Sequence, residues 1–223
     1  MHIQQVAGAL GAEISGLDLS RGLSAAQAQD VRAAFLTHQV IFFRDQPLSP
    51  EAFMAFAEAM GEPVEYPFVK GVAGFPKIIE VKKLETERVN FGGIWHSDTT
   101  YLQEPPMGSM LLAREVPPFG GDTLFASQYA AYEALSPEMK RILDPLVGVS
   151  SSAKADVSKT REDRLRSDGK DEAPKDYLAH HPVVRTHPET GRKALFVNVA
   201  HTAGIEGLTE AESAPLLQVW FAH

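Results

Sequence analysis

The chain has 223 residues, which is long enough to bury a sizeable core within one large domain. Its 44% hydrophobic and 22% charged residues are ordinary for a globular protein. Its formal net charge of −8 argues against nucleic acid as a partner, because a phosphate backbone requires clustered Lys and Arg. The absence of cysteine excludes disulfides and thiolate metal sites. Neither a signal peptide nor a run of about 18 apolar residues is visible, which predicts a cytoplasmic protein with no membrane partner.

Short strands and two helices are predicted over the first sixty residues. Loose alternation over residues 12–19 predicts a half-buried strand. A helix follows at 24–38, capped by Ser24, and the run of β-branched and aromatic residues at 40–43 predicts a buried strand. A Ser-Pro start and a terminal Gly then delimit a second helix over 49–61.

The middle of the chain is predicted to be richer in strands. An extended piece begins at His96, and other apolar runs predict strands at 77–81, 108–116 and 123–126. Helical patterns follow at 129–135 and 136–143.

Residues 150–176 differ in composition from the rest, with dense charges and frequent Ser, Gly and Asp. This segment is interpreted either as a mobile loop or lid or as a plain solvated loop. Beyond it, a hairpin is predicted from strands at 182–187 and 194–198. Thr209 and Glu212 have capping-box spacing for a last helix, although Pro215 would move its start to Ser213.

Strands paired by hairpins, with helices grouped early and late, predict a mainly β fold with flanking helices, of the sandwich or jelly-roll kind. The sequence shows no internal repeat and no second core. One domain over residues 1–223 is therefore expected.

The most informative stretch is Trp95-His96-Ser97-Asp98. On a strand, His96 and Asp98 would point to the same face and could bind one metal ion. An imidazole and a carboxylate are two parts of the two-His-one-carboxylate set of Fe(II) oxygenases. The alternative is a surface strand with an ordinary Asp–His hydrogen bond. Gly92 and Gly93 precede the motif and allow close backbone approach to a ligand.

A third ligand cannot be chosen by spacing. Seven other His residues remain, and none of them is singled out, although His201 is placed to face a pocket. Gly120-Gly121-Asp122-Thr123 is open to two interpretations: Thr123 offers its hydroxyl to an anionic cosubstrate, or the segment is simply a hairpin turn. There is no Gly-x-Ser-x-Gly elbow, P-loop or Rossmann fingerprint.

Taken together and in order, these motifs resemble the taurine dioxygenase family of Fe(II)- and 2-oxoglutarate-dependent oxygenases. The resemblance covers nearly the whole chain, and the segments that carry it are residues 11–19, 38–46, 95–98, 120–123, 181–188 and 195–198.

The resemblance implies a double-stranded β-helix, which is a jelly roll, with His96 and Asp98 as Fe(II) ligands. Thr123 would help to hold 2-oxoglutarate. The implied reaction consumes O2 and 2-oxoglutarate, releases succinate and CO2, and hydroxylates a small, anionic organic substrate. Oligomers are common in such families, so a homo-oligomer is a further option for this chain.

The chain also departs from the family pattern. The third His and the anion-binding Arg residues of the family are expected beyond the last helix, so the fold is predicted to be incomplete at the C-terminus and the 223 residues to bind iron weakly. The expected pocket residues, which do not favour taurine, are Phe68, Asn90, Thr99, Tyr101 and His201.

Two other functions remain open. One is a truncated or degenerate, non-catalytic member of the same fold that binds a small molecule. The other is a Zn-type hydrolase that uses His96 and Asp98.

Overall fold

The structure is a computed structural model that describes residues 1–86, 92–154 and 176–223. The chain divides into two compact units. The first comprises residues 1–65, 71–78 and 109–127, and the second comprises residues 66–70, 79–108 and 128–223. Within the described part of the chain, every helix is too short or too polar to cross a membrane.

The first unit contains a three-stranded sheet. Strand β1 (His2–Gln5) runs antiparallel to β2 (Ala12–Ser15), which lies parallel to β3 (Ile41–Phe42). Two parallel strands need a crossover connection, which here contains helix α1 (Ala25–His38). The predicted strands at 12–19 and 40–43 are thus confirmed over part of their length.

Both predicted helices of the first unit are confirmed, and their caps explain where they begin. Ser24 Oγ accepts from the Gln27 N–H, and the Gln27 side chain accepts from the Ser24 N–H at 2.9 Å, which is a capping box before α1. Helix α2 (Pro50–Met60) has its proline at the first position. The buried core beside these helices consists of Leu19, Val31, Leu48, Phe56 and Met60.

The second unit contains a three-stranded antiparallel sheet and a hairpin. Strand β4 (Val147–Ser151) lies between β5 (Leu178–Pro182) and a later strand, β8 (Thr202–Ile205). The hairpin pairs β6 (Val184–Thr186) with β7 (Lys193–Leu195), as its turn sequence predicts.

Three helices complete the second unit, and they are α3 (Gln128–Ala134), α4 (Pro137–Leu143) and α5 (Glu210–Ala222). They share an apolar core with the strands, formed by Leu135, Leu143, Val183, Val184, Leu195, Val197, Ile205, Leu217 and Trp220.

The predicted shift of the last helix to Ser213 is wrong, because α5 begins at Glu210. The Glu212 carboxylate accepts from the Thr209 N–H at 2.8 Å, which stabilises the first turn. Pro215 removes one backbone donor near this end of the helix. The buried Leu217 and Trp220 side chains still pack the helix against the core.

The described residues do not have the predicted mainly β composition. Helices and small sheets are mixed, and no sheet in the described part closes into a barrel. The predicted strands at 77–81, 108–116 and 123–126 form no ladder there. An apolar run favours a strand, but a strand also needs a neighbour for its backbone groups, and Leu111 remains 77% exposed. The jelly roll and the single domain over 1–223 stay predictions.

Candidate active site

His96 and Asp98 lie together, although not on a strand. Residues 95–97 have no regular structure and residues 98–100 form a turn, so the predicted extended piece is wrong. His96 Nε2 is nevertheless 3.2 Å from Asp98 Oδ1. Thr99 has a φ of 50°, and its carbonyl accepts from the Leu102 N–H at 2.9 Å. A β-branched residue in the left-handed region is strained by about 1–3 kcal/mol, so the surrounding structure must hold this turn.

The hydrogen bonds of His96 determine which ring nitrogen is available. Nδ1 lies 2.7 Å from the Ile94 carbonyl oxygen, which can only accept, so Nδ1 carries a proton. Nε2 therefore faces Asp98 and is free to bind a cation when the ring is neutral. Without a cation, both ring nitrogens of His96 face hydrogen-bond acceptors, the Ile94 carbonyl at Nδ1 and the Asp98 carboxylate at Nε2. The hydrogen bond to Asp98 raises the pKa of His96, and the Ile94 carbonyl adds to the rise, while burial opposes it.

The spacing of the pair also fits a metal ion. Two ligands bound at about 2.1 Å and at right angles lie about 3.0 Å apart. The observed 3.2 Å between Nε2 and Oδ1 matches this value. No group of three His, Cys, Asp or Glu suited to a metal occurs within residues 1–86, 92–154 and 176–223. The separation of His96 Nε2 and Asp98 Oδ1 therefore fits two protein ligands of one ion.

Gly92 makes room for the imidazole of His96. A Cβ at this position would meet His96 Cε1 at 3.1 Å, and the φ of 68° independently favours glycine. The group that lies close to Gly92 is thus the His96 ring. The expected approach of the backbone to a ligand stays a prediction.

Three predicted pocket residues pack against one another in the second unit. The ring of Tyr101, which is 2% exposed, lies 5.6 Å from the Phe68 ring and 4.9 Å from the His201 ring, edge to face in both cases. Tyr177, which was not predicted, also contacts Phe68, with ring centroids 5.5 Å apart. The structure thus brings Phe68, Tyr101 and His201 together.

The remaining predicted residues have different surroundings. Thr99 is buried, and its Oγ1 makes no hydrogen bond to any described residue. Thr123 is exposed and belongs to the first unit. Asn90 lies outside the described residues, as do residues 155–175 of the predicted lid.

His201 is a buried, neutral imidazole. It is 6% exposed, and its Nδ1 has no hydrogen-bond partner within the described part of the chain. Burial lowers the pKa of His201 to about 4, and the charges of His96 and Lys154 lower it further while that of Asp98 raises it.

Two residues of this region had no predicted role. Asn198 Nδ2 donates to Thr100 Oγ1 at 3.2 Å, and His181 Nε2 donates to the Leu102 carbonyl at 3.0 Å. Both residues stand in the segments that carry the family resemblance. Spacing alone gives no sign that they hold a turn about 80 to 100 residues away in sequence.

Comparison with known proteins gives a family match and several similar relatives. The profile of the "Taurine catabolism dioxygenase TauD, TfdA family" matches residues 2–223. An alpha-ketoglutarate-dependent sulfate ester dioxygenase of Pseudomonas putida is 35% identical over 231 residues, covering 100% of this chain and 74% of that protein. An alkylsulfatase of Acinetobacter baylyi is 35% identical over 204 residues, covering 88% of this chain and 62% of that protein. The chain thus spans 62% to 74% of the length of these two relatives.

Solved structures of related proteins superpose on the whole chain. A taurine dioxygenase from Burkholderia xenovorans superposes with a TM-score of 0.81 at 32% identity, covering 100% of this chain and 72% of that one. AAD-2 in complex with Mn(II) and N-oxalylglycine superposes with a TM-score of 0.77 at 29% identity, covering 100% of this chain and 81% of that one. On the motif, the geometry and these matches, the chain belongs to the TauD, TfdA family of dioxygenases.

Proposed function

We propose that this protein is an Fe(II)- and 2-oxoglutarate-dependent dioxygenase that hydroxylates a small, anionic organic compound. One observation carries the proposal: the Ile94 carbonyl holds the proton of His96 at Nδ1 and leaves Nε2 beside Asp98 Oδ1, at a spacing that suits two ligands of one ion. Membership of this dioxygenase family supports the assignment of His96 and Asp98 as metal ligands in the proposal.

The residues of this chain have distinct proposed roles. His96 and Asp98 are the metal ligands, and Thr123 contributes its hydroxyl to the binding of 2-oxoglutarate. Bound iron would supply the oxidising chemistry by which one oxygen atom of O2 enters a C–H bond of the substrate and the other enters succinate as CO2 is lost. The chain's own part is to orient the ligands.

The substrate class follows from the relatives and from the pocket. Three relatives are a sulfate ester dioxygenase, an alkylsulfatase and a phenoxypropionate dioxygenase, and these activities indicate organic anions with an apolar part. Phe68, Tyr101 and His201 form an aromatic cluster that suits such an apolar part. A completed jelly roll around the site belongs to the same proposal.

The proposed activity is tested by O2 uptake with Fe(II), 2-oxoglutarate and a panel containing an alkyl sulfate, a phenoxypropionate and taurine. We expect uptake and equimolar succinate with one of the first two, and loss of both in His96→Ala. His2→Ala is the matched control, because His2 is an exposed residue of strand β1. Substrate-coupled succinate formation that survives in His96→Ala would refute the assigned ligand.

The panel also separates the rival functions. Mn(II) binding that is the same in the wild type and His96→Ala, with no uptake on any substrate, would favour the non-catalytic member. Hydrolysis of the alkyl sulfate without O2 or 2-oxoglutarate would favour a hydrolase.

A further inference from the structure

Asn198 connects two segments of the second unit through its side chain. Its Nδ2 donates to Thr100 Oγ1 at 3.2 Å, and its Oδ1 accepts from the His201 N–H at 2.9 Å. Its own N–H donates to Thr202 Oγ1 at 3.0 Å, which keeps the Asn198 backbone in place. All three bonds are buried, so water does not compete with them.

The turn that Asn198 reaches has little regular structure of its own. It contains Asp98, Thr99 with its φ of 50°, and the bond from the Leu102 N–H to the Thr99 carbonyl. No strand ladder supports it within the described residues. Its position therefore depends on bonds from elsewhere, and another such bond runs from His181 Nε2 to the Leu102 carbonyl.

The Asn198 amide satisfies both contacts at once. Its Nδ2 donates to the Thr100 hydroxyl and its Oδ1 accepts from the His201 N–H. An apolar side chain of the same size would remove both bonds and leave the buried His201 N–H without this acceptor.

We infer that Asn198 is a positioning residue that holds the Asp98 turn and the His201 segment in fixed relation, and so sets the geometry of both the metal pair and the pocket wall. The metal part of this inference rests on the proposed function. The placement of the turn does not, because it follows from hydrogen bonds within the protein.

The first test uses the metal-free protein and amide hydrogen exchange. In Asn198→Ala, the Leu102 N–H should exchange at least about ten-fold faster, because the turn loses its bond at Thr100. Ser213→Ala is the matched control: it removes another buried bond of the second unit, from the Ile205 N–H to Ser213 Oγ, away from the turn. Unchanged exchange at Leu102 in Asn198→Ala, or equal acceleration in the control, overturns the inference whether or not metal binds.

The second test measures Mn(II) affinity by EPR in a double-mutant cycle. Asn198→Ala and Thr100→Val should each weaken binding about ten-fold, and the double variant should be no weaker than either one. Thr100→Ser keeps the hydroxyl and should bind as the wild type does. Independent, additive losses, or the same loss in Thr100→Ser, would overturn the role of this contact.

The two proposals fail in different ways. Equal Mn(II) binding by wild type and His96→Ala refutes the metal pair of the proposed function, and the exchange measurement then decides the inference alone. Loss of Mn(II) in His96→Ala together with wild-type affinity in Asn198→Ala supports the metal pair and refutes the positioning role.

Discussion

His201→Phe should make the stability of the protein less sensitive to acid. The imidazole is 6% exposed, and its Nδ1 has no partner among the described residues, so the folded state disfavours its charged form. Phe keeps an aromatic ring edge to face with Tyr101, whose ring centroid is 4.9 Å away, and it cannot be protonated. The substitution therefore removes one titration while preserving the packing.

The sign and size follow from the pKa of His201, which burial lowers from 6.5 to about 4 in the folded protein. Between these values the unfolded chain binds the proton and the folded chain does not, so stability falls as pH falls below 6.5 and levels off below about 4. At about pH 5.5 the linkage gives a loss of about 1.4 kcal/mol, against about 0.1 kcal/mol at about pH 7.5. Allowing for screening by nearby water, we expect a difference of about 1 kcal/mol.

The assay is urea unfolding of wild type and His201→Phe at both pH values, followed by fluorescence and circular dichroism. The free energy of unfolding of the wild type relative to the variant should drop by about 1 kcal/mol on going to the lower pH. All other titrations are shared and largely cancel. His2→Phe is the control, because it makes the same substitution at an exposed position of strand β1.

A pH-independent difference between wild type and His201→Phe would refute the reasoning, since it would mean that His201 is as easily protonated in the folded protein as in the unfolded chain. A wild type that gained stability on acidification relative to the variant would refute it more strongly, because the sign would be reversed.

Three further predictions concern the second unit. Leu143→Ala, at a fully buried core position, should lower the free energy of unfolding by about 2–5 kcal/mol in urea. Ser136→Ala removes the side-chain cap of α4 and should cost about 1 kcal/mol, seen as a lower Tm. Gly92→Ala should weaken Mn(II) binding about ten-fold, because the added Cβ would displace the His96 ring. Gly207→Ala, also at positive φ but with open space around it, should leave the Mn(II) affinity unchanged. Equal Mn(II) affinities in the two variants would contradict the proposed role of Gly92.

Local signals account for most of what the sequence predicted correctly. Ser24 and Ser136 each mark a helix start, because a capping side chain bonds a backbone group only three residues away. The hairpin of β6 and β7 is similarly local. The apolar run at 108–116 was interpreted by the same logic and forms no strand, since pairing depends on a distant partner that the run does not specify.

In the candidate site too, local contacts were predicted and contacts between distant residues were not. His96 and Asp98 were predicted to meet because they would share a strand face, and they meet instead across a turn, so the pairing is correct and its local reason is wrong. The bond between Asn198 and Thr100 joins residues 98 positions apart, and no spacing rule connects them. Residue type and motif thus pointed to the His96–Asp98 pair, and only the tertiary structure shows the contact between Asn198 and Thr100.

The pKa of His96 is raised and the pKa of His201 is lowered, and this difference limits how the proposed pocket could recognise an anion. Acceptors at both nitrogens raise the pKa of His96, so its ring tends to hold the proton that a metal must displace. Burial lowers the pKa of His201 to about 4, so at neutral pH it carries no charge and can offer only a hydrogen bond and an aromatic surface. An anionic substrate beside His201 would therefore have to find its countercharge in another cationic group or in the metal itself.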